Sequence, residues 1–300
     1  MTSVLETQSL GKRYGRQWGL RDCTLQIPAG SVAGLVGLNG AGKTTLMHLA
    51  AGLIEPSSGR IQVLGETPSQ ISTSFLTRIG FVAQERPLYR YFSVKDMLTL
   101  GGKLNAQWDD QLARELLERL KIPLPSLVGK LSGGQQAQVA LVLALAKRPR
   151  LLLLDEPFAN VDPLARREFS KIVMETVASH ETTVLLSSNI LEDLETICDY
   201  LIILSAACVQ IASDIETLLA THKWLIGPYD RSEPITRTHV VLQSSHRGRQ
   251  SHLLVRTNSP ISYPSWQVQD VTLKEIVLAY LDLPSEDIQE QHESKQEVVK

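Results

Sequence analysis

Gly37-Leu38-Asn39-Gly40-Ala41-Gly42-Lys43-Thr44-Thr45 lies between a short apolar, partly β-branched run, Val32 to Val36, and a segment of helical character, Thr45 to Ala50. A strand, a glycine-rich loop and a helix in that order read as a phosphate-binding loop. Glycines let the backbone wrap close to an anion with successive amide N–H groups turned inward, and the helix start adds a favourable dipole. On this pattern Lys43 reaches the β- and γ-phosphates of a nucleotide, and the Thr44 hydroxyl is offered to Mg²⁺.

A second stretch supplies carboxylates. Leu151-Leu152-Leu153-Leu154 is a continuous apolar run ending in Asp155 and Glu156, as expected of a central strand delivering acids to the carboxyl edge of a sheet, where ligands bind. Asp155 is placed to hold Mg²⁺ directly or through water, and Glu156 to polarise an attacking water as general base.

The third stretch is Leu131-Ser132-Gly133-Gly134-Gln135, followed by helical apolar spacing at Val139, Leu141, Val142 and Leu145. In isolation it reads as a serine-capped helix start. Placed between a phosphate loop and an Asp-Glu strand, it makes the chain resemble the ATP-binding subunit of an ABC transporter, whose signature sequence is LSGGQ. The resemblance covers roughly residues 3 to 220. Ser132 and the backbone N–H groups of Gly133 and Gly134 form a second anion-binding surface at a helix start, yet the chain has one phosphate loop. In the family, the signature of one subunit closes over the ATP held by another. The resemblance therefore implies a homodimer or heterodimer around two ATP molecules, loosening when loss of the γ-phosphate removes much of the differential binding.

The family pattern extends to smaller matches. Tyr14, in Lys12-Arg13-Tyr14-Gly15, stands where the family places a ring on adenine. Gln84, after Phe81-Val82-Ala83, resembles the glutamine that contacts Mg²⁺ and water. The aromatics of Pro87-Leu88-Tyr89-Arg90-Tyr91-Phe92 face either a partner's coupling helix or the interior of the helical subdomain. Asp162, in Ala159-Asn160-Val161-Asp162-Pro163, resembles the loop residue through which paired subunits sense each other; on residue type alone it is a turn aspartate before a proline at the first helical position. One position departs. Asn189 follows Thr183 to Ser188 where the family has a switch histidine on the γ-phosphate, with Ile190 to Glu195 matching on the far side. An amide donates a hydrogen bond but carries no proton, so ATP binding with slow hydrolysis is expected.

The 300 residues suggest about two domains. A net charge of −2 argues against a broad nucleic-acid surface, and no nucleic acid is expected as partner. No apolar run approaches the roughly 18 residues needed to cross a bilayer, and Met1-Thr2-Ser3 begins no basic-then-apolar signal. A cytoplasmic protein is expected, peripheral at the inner face of the membrane through a separate permease. Cys23, Cys198 and Cys208 lack metal-ligand spacing and read as reduced core residues.

The expected fold is α/β, a P-loop NTPase core of mainly parallel sheet with an N-terminal antiparallel β edge, a helical signature subdomain and a small C-terminal α+β appendage. The cassette is expected over 1–221, its helical subdomain over about 86–148, with Asp110 to Leu120 helical. A helix after Pro163 is expected to bury Leu164, Phe169, Ile172 and Val173. The appendage covers 222–283, with strands at His239 to Leu242, His252 to Arg256 and Trp266 to Val271 and a helix over Thr272 to Leu281. His239, His246 and His252 read as solvated or structural, and 284–300 as a polar, disordered tail. The resemblance implies an ATP-hydrolysing subunit that drives export of a drug, lipid or other hydrophobic compound. The alternative is a soluble ATP-gated clamp or regulatory protein of the same family.

Overall fold

The computed structural model describes residues 3–68, 73–159, 161–180, 182–229, 233–257, 261 and 263–283. Asn160, Pro260 and the tail 284–300 therefore lie outside the described residues. The chain opens on a long hairpin, β1 (Ser3–Tyr14) and β2 (Gln17–Pro28). Its two-residue turn places Gly15 at φ 60, a conformation glycine adopts without strain. Next come β3 (Val32–Gly37), α1 (Lys43–Ala50) and β4 (Ser58–Val63); β4 pairs antiparallel with β1, giving a sheet of order β2-β1-β4.

After α2 (Thr73–Thr77) and β5 (Ile79–Val82) the chain turns helical, through α3 (Val94–Leu104), α4 (Asp110–Arg119) and α5 (Gly133–Leu145). Each of the three starts on a side-chain cap: Ser93 and Ser132 form capping boxes with Asp96 and Gln135, and Asp109 accepts from the Leu112 N–H at 2.8 Å. The chain then returns to the central sheet with β6 (Leu151–Leu154), α6 (Pro163–His180), β7 (Thr183–Ser187), α7 (Leu191–Ile197), β8 (Tyr200–Ser205), β9 (Cys208–Asp214) and α8 (Ile215–Thr221). The central order is β5-β6-β7-β3-β8-β9, parallel except where β9 turns back on β8.

The central strands are buried on both faces, which explains their unbroken apolar runs. Val32 and Val36 of β3 face one core cluster with Leu152, Leu154 and Phe169, while Ala33 and Leu35 face a second with Leu46, Leu49 and Leu151. In α6, Phe169, Ile172 and Val173 are buried as expected, but Leu164 is 80% exposed. At about 100° per residue, Leu164 points roughly 140° from Phe169 and 180° from Val173. Cys23 is buried and its thiol is pushed up to about 12 by desolvation, whereas Cys198 and Cys208 are only partly buried.

The C-terminal segment forms β10 (His222–Pro228), α9 (Glu233–Thr238), β11 (Val240–Arg247), β12 (Gln250–Arg256), β13 (Gln267–Asp270) and α10 (Leu273–Asp282), with sheet order β11-β12-β10-β13. The sequence reading omits β10, because Gly227 and Pro228 look like breakers; both sit at the strand's end, where a missing donor is tolerated. Leu225, Leu253 and Val255 close a small core with Trp266 on one face. On the other face Leu254 joins Ile276, Val277 and Tyr280 of α10 in the same cluster as Leu201 and Ile203 of β8. The segment is thus packed onto the cassette's sheet.

At the junction, His222 is fully buried; its Nδ1 lies 2.8 Å from the Leu218 carbonyl and its Nε2 3.1 Å from the Tyr280 hydroxyl. Desolvation, aided by Arg256, holds its pKa below the ordinary imidazole value. The unfolded chain then binds the proton more readily, so stability is complete above about pH 6.5 and falls below it, by up to about 1.4 kcal/mol per pH unit. Melting temperature measured from pH 8 to 5.5 should drop more steeply in the parent than in His222→Gln; parallel curves would exclude this linkage.

Candidate nucleotide site

Four parallel strands end at one edge of the central sheet, the edge at which open α/β sheets bind ligands. β3 runs into the glycine loop, β5 leads to Gln84, β6 delivers Asp155 and Glu156, and β7 leads through Ser187 and Ser188 to Asn189. Gly40 and Gly42 hold φ of 82 and 107. A Cβ at Gly42 would lie 2.4 Å from the Gly19 carbonyl oxygen, so the loop can pass β2 only with glycine there.

Lys43, the first residue of α1, is 6% exposed. Its Nζ donates to the Gly37 carbonyl at 2.8 Å, more weakly to that of Leu38 at 3.4 Å, and to Asn189 Oδ1 at 2.8 Å. Asn189 Nδ2 donates to Glu156 Oε1 at 2.7 Å and to Asn39 Oδ1 at 3.2 Å. The single carboxamide therefore bridges an ammonium and a carboxylate that stand 3.5 Å apart.

Glu156 sits on left-handed backbone, φ 45, which costs a non-glycine residue roughly 1–2 kcal/mol. Its N–H donates to Ser187 Oγ at 2.8 Å, and the Ser187 hydroxyl donates to Asp155 Oδ1 at 2.7 Å. Ser187 thus fixes both acids from the neighbouring strand.

Tyr14, Gly40, Gly42, Lys43, Gln84 and Glu156, with Asn39, Thr44 and Thr45 beside them, line one open cleft of about 480 Å³. Leu38 points outward at 63% exposure, and Ala41 is buried under the loop. Asp155 is beneath the cleft wall, 1% exposed. A threonine hydroxyl, an amide oxygen and a carboxylate are the hard oxygen donors that suit Mg²⁺, which takes few protein ligands and completes its shell with water and phosphate. No cluster of three or more His, Cys, Asp or Glu fit for a metal occurs among the described residues.

Gln17, Trp18 and Gly19 of the cleft wall escaped the sequence reading, as did Arg86 outside it. Trp18 also lines the cleft; its signal was the hairpin register, which sets Trp18 opposite Arg13 as Gln17 is opposite Tyr14. Arg13 lies over the Trp18 ring and Lys12 over the Tyr14 ring, 5.8 and 5.6 Å from the centroids. Arg86 is half-buried, with burial lowering its pKa; its two terminal nitrogens donate to main-chain carbonyls, while its Nε is buried without a hydrogen-bond partner among the described residues.

The signature residues are elsewhere. Ser132, Gly133, Gly134 and Gln135 start α5 and none of them lines the cleft. Ser132 Oγ accepts from the Gln135 N–H at 3.2 Å while Gln135 Oε1 accepts from the Ser132 N–H at 3.0 Å. Ser132 and Gly133 are exposed; Gly134 is buried, with space for no more than a tight methyl 3.3 Å from Asp162 Oδ2. Asp162 itself caps α6, accepting from the N–H groups of Leu164 and Ala165 at 3.1 and 3.0 Å.

The family model described as ABC transporter matches residues 20–159. The ABC transporter ATP-binding protein YtrB of Bacillus subtilis (strain 168) is 30% identical over 215 residues, 72% of this chain and 73% of that protein. The chain belongs to the ATP-binding subunits of ABC transporters. Its ATP-binding cassette is also 31% identical to the bacitracin transport ATP-binding protein BcrA of Bacillus licheniformis, over 67% of this chain and 66% of BcrA. The sulfate/thiosulfate import ATP-binding protein CysA of Yersinia pseudotuberculosis is 32% identical over 69% of this chain, and the match spans 59% of CysA. Among solved structures, an ATP-binding subunit of an ABC transporter overlays with a TM-score of 0.66 at 28% identity, covering 73% of this chain and 92% of that one. The cassette is an ATPase.

Proposed function

We propose that this cassette pairs with a second ATP-binding subunit around two ATP molecules and drives a separate membrane permease that exports a drug, lipid or other hydrophobic compound. The observation that carries the reading is the split of phosphate-binding surfaces. Lys43 and the glycine loop lie in the cleft, whereas the exposed Ser132–Gly133 corner stands outside it, open to a neighbour. A drug as cargo is supported by the likeness to BcrA, whose name records bacitracin transport, and export by the likeness to a protein named for Nod factor export, 34% identical over 68% of this chain, set against the import named for CysA.

In this reading Tyr14 takes the adenine face and the loop amides with Lys43 take the phosphates. Thr44, Gln84 and Asp155 would hold Mg²⁺, which would neutralise phosphate charge. Glu156 accepts the proton of the attacking water. Ser187 holds the Glu156 backbone in the left-handed turn that aims its carboxylate into the cleft. Asn189 orients Glu156 and offers an N–H toward the phosphates, but it has no titrating proton to give. Replacing it by histidine should raise turnover on the order of 100-fold at unchanged ATP affinity. Equal steady-state rates for parent and Asn189→His would refute the assignment.

No helix among the described residues is long and apolar enough to cross a membrane; in this reading the permease supplies the membrane attachment. An apolar groove of about 360 Å³ lies between the central sheet and α3, lined among others by Leu53, Leu76, Leu88 and Leu104. Leu53, Leu76 and Leu104 are 58%, 45% and 69% exposed. Patches of this kind mark partner sites, and an amphipathic permease helix fits one. Reconstitution decides the matter: turnover should depend on the permease and on its hydrophobic cargo. Activity indifferent to any permease would favour a soluble ATP-gated clamp.

A further inference from the structure

Arg86 follows Gln84 by two residues and, like Glu156, holds a left-handed backbone, φ 47. Its Nη1 donates to the Gly133 carbonyl at 3.0 Å, and its Nη2 to the carbonyls of Pro157 and Ala159 at 3.0 and 2.6 Å. Gly133 opens α5 at the signature corner; Pro157 and Ala159 are in the loop that leaves Glu156. Arg86 also borders the apolar groove, where Leu88 and Met97 are its neighbours in the wall. One guanidinium thus ties its own segment to two others, 47 residues and 71 to 73 residues further along the chain.

Bonds from an ionised donor are the stronger class, and the planar fork fixes the direction of each. Carbonyls accept them without neutralising the charge, so the contact is directional rather than an ion pair. A displacement of any one segment breaks the fork's alignment with the others, while the left-handed backbone at Arg86 is held by a local turn, its N–H donating to the Ala83 carbonyl at 3.0 Å and its carbonyl accepting from the Leu88 N–H at 2.7 Å. Arg86 contacts neither the glycine loop nor Lys43.

We propose that Arg86 is a positioning residue that holds the signature corner and the Glu156 loop in register with the segment that follows Gln84. This rests on the transport-ATPase reading above. Loss of the fork should misplace Glu156 and the signature corner together while leaving the phosphate loop as it is.

The test uses the full chain. Arg86→Ala should lower kcat about 10- to 100-fold with KM for ATP within about twofold of the parent. Added guanidinium at low millimolar concentration should restore part of the lost kcat in that variant and none in the parent. Arg86→Lys, with a single ammonium in place of the fork, should stay below the parent. A kcat within twofold of the parent for Arg86→Ala, or a KM that rises as much as kcat falls, overturns the proposal. Amide exchange in the nucleotide-free chain gives an independent readout, on Arg86→Lys should Arg86→Ala not fold. Faster exchange at 131–136 and 156–159 with 37–45 unchanged supports the proposal, and uniform exchange overturns it. A parent chain that binds ATP without hydrolysing it would refute the transport reading alone, while the exchange comparison would still judge Arg86.

Discussion

Glu156→Gln should all but abolish ATP turnover while ATP still binds. Glutamine keeps the shape of the side chain, and its amide oxygen can still accept from Asn189 Nδ2, which now sits 2.7 Å from Glu156 Oε1. What it loses is the basicity that takes a proton from water, a contribution of about 10²- to 10⁴-fold. The backbone turn is unaffected, because it is held by the Glu156 N–H on Ser187 Oγ. Phosphate release under single-turnover conditions gives the rate, and Trp18 fluorescence gives the affinity. An ATP-stabilised dimer should accumulate on size exclusion, since hydrolysis no longer releases it. Turnover within tenfold of the parent would remove Glu156 from the role of base.

Lys43→Ala should weaken ATP binding by roughly 10²- to 10³-fold. The ammonium is 6% exposed and satisfied by the Gly37 carbonyl and Asn189 Oδ1, both at 2.8 Å. Truncating one partner of a buried, hydrogen-bonded charge pair between protein and ligand costs roughly 2–5 kcal/mol of binding, and each 1.4 kcal/mol is a factor of ten in affinity. Glu156 loses its nearest countercharge at the same time. Alanine favours the helix, so α1 should persist and the loss should appear in titration calorimetry rather than as unfolding. Undiminished affinity would mean that the phosphates lie away from this loop.

Much of the site was legible because local chemistry dictates it. Glycines before Lys43 announce a backbone that must bend around an anion, and an all-leucine run ending in two acids announces a buried strand with its acids at the sheet edge. Ser132 with Gln135 three residues later is a helix start on residue type alone. Other features were illegible for equally physical reasons. Leu164 looked like core until the angular spacing of α6 placed it in solvent. β10 was hidden by Gly227 and Pro228, which break strands in general but not at a strand's end.

Within this chain, then, sequence determines the motifs, because turn, cap and strand chemistry are set by residues a few positions apart. Tertiary structure decides which of those motifs meet. Asn189 reads as a weakened donor in isolation, yet the fold makes it the bridge between Lys43 and Glu156, residues 146 and 33 positions away. Arg86 carries no motif at all, and becomes a clasp only because the sheet and α5 bring Gly133, Pro157 and Ala159 within reach of one fork. Hydrogen bonds are directional and short-ranged, so partners distant along the chain are chosen by packing, which no local pattern encodes.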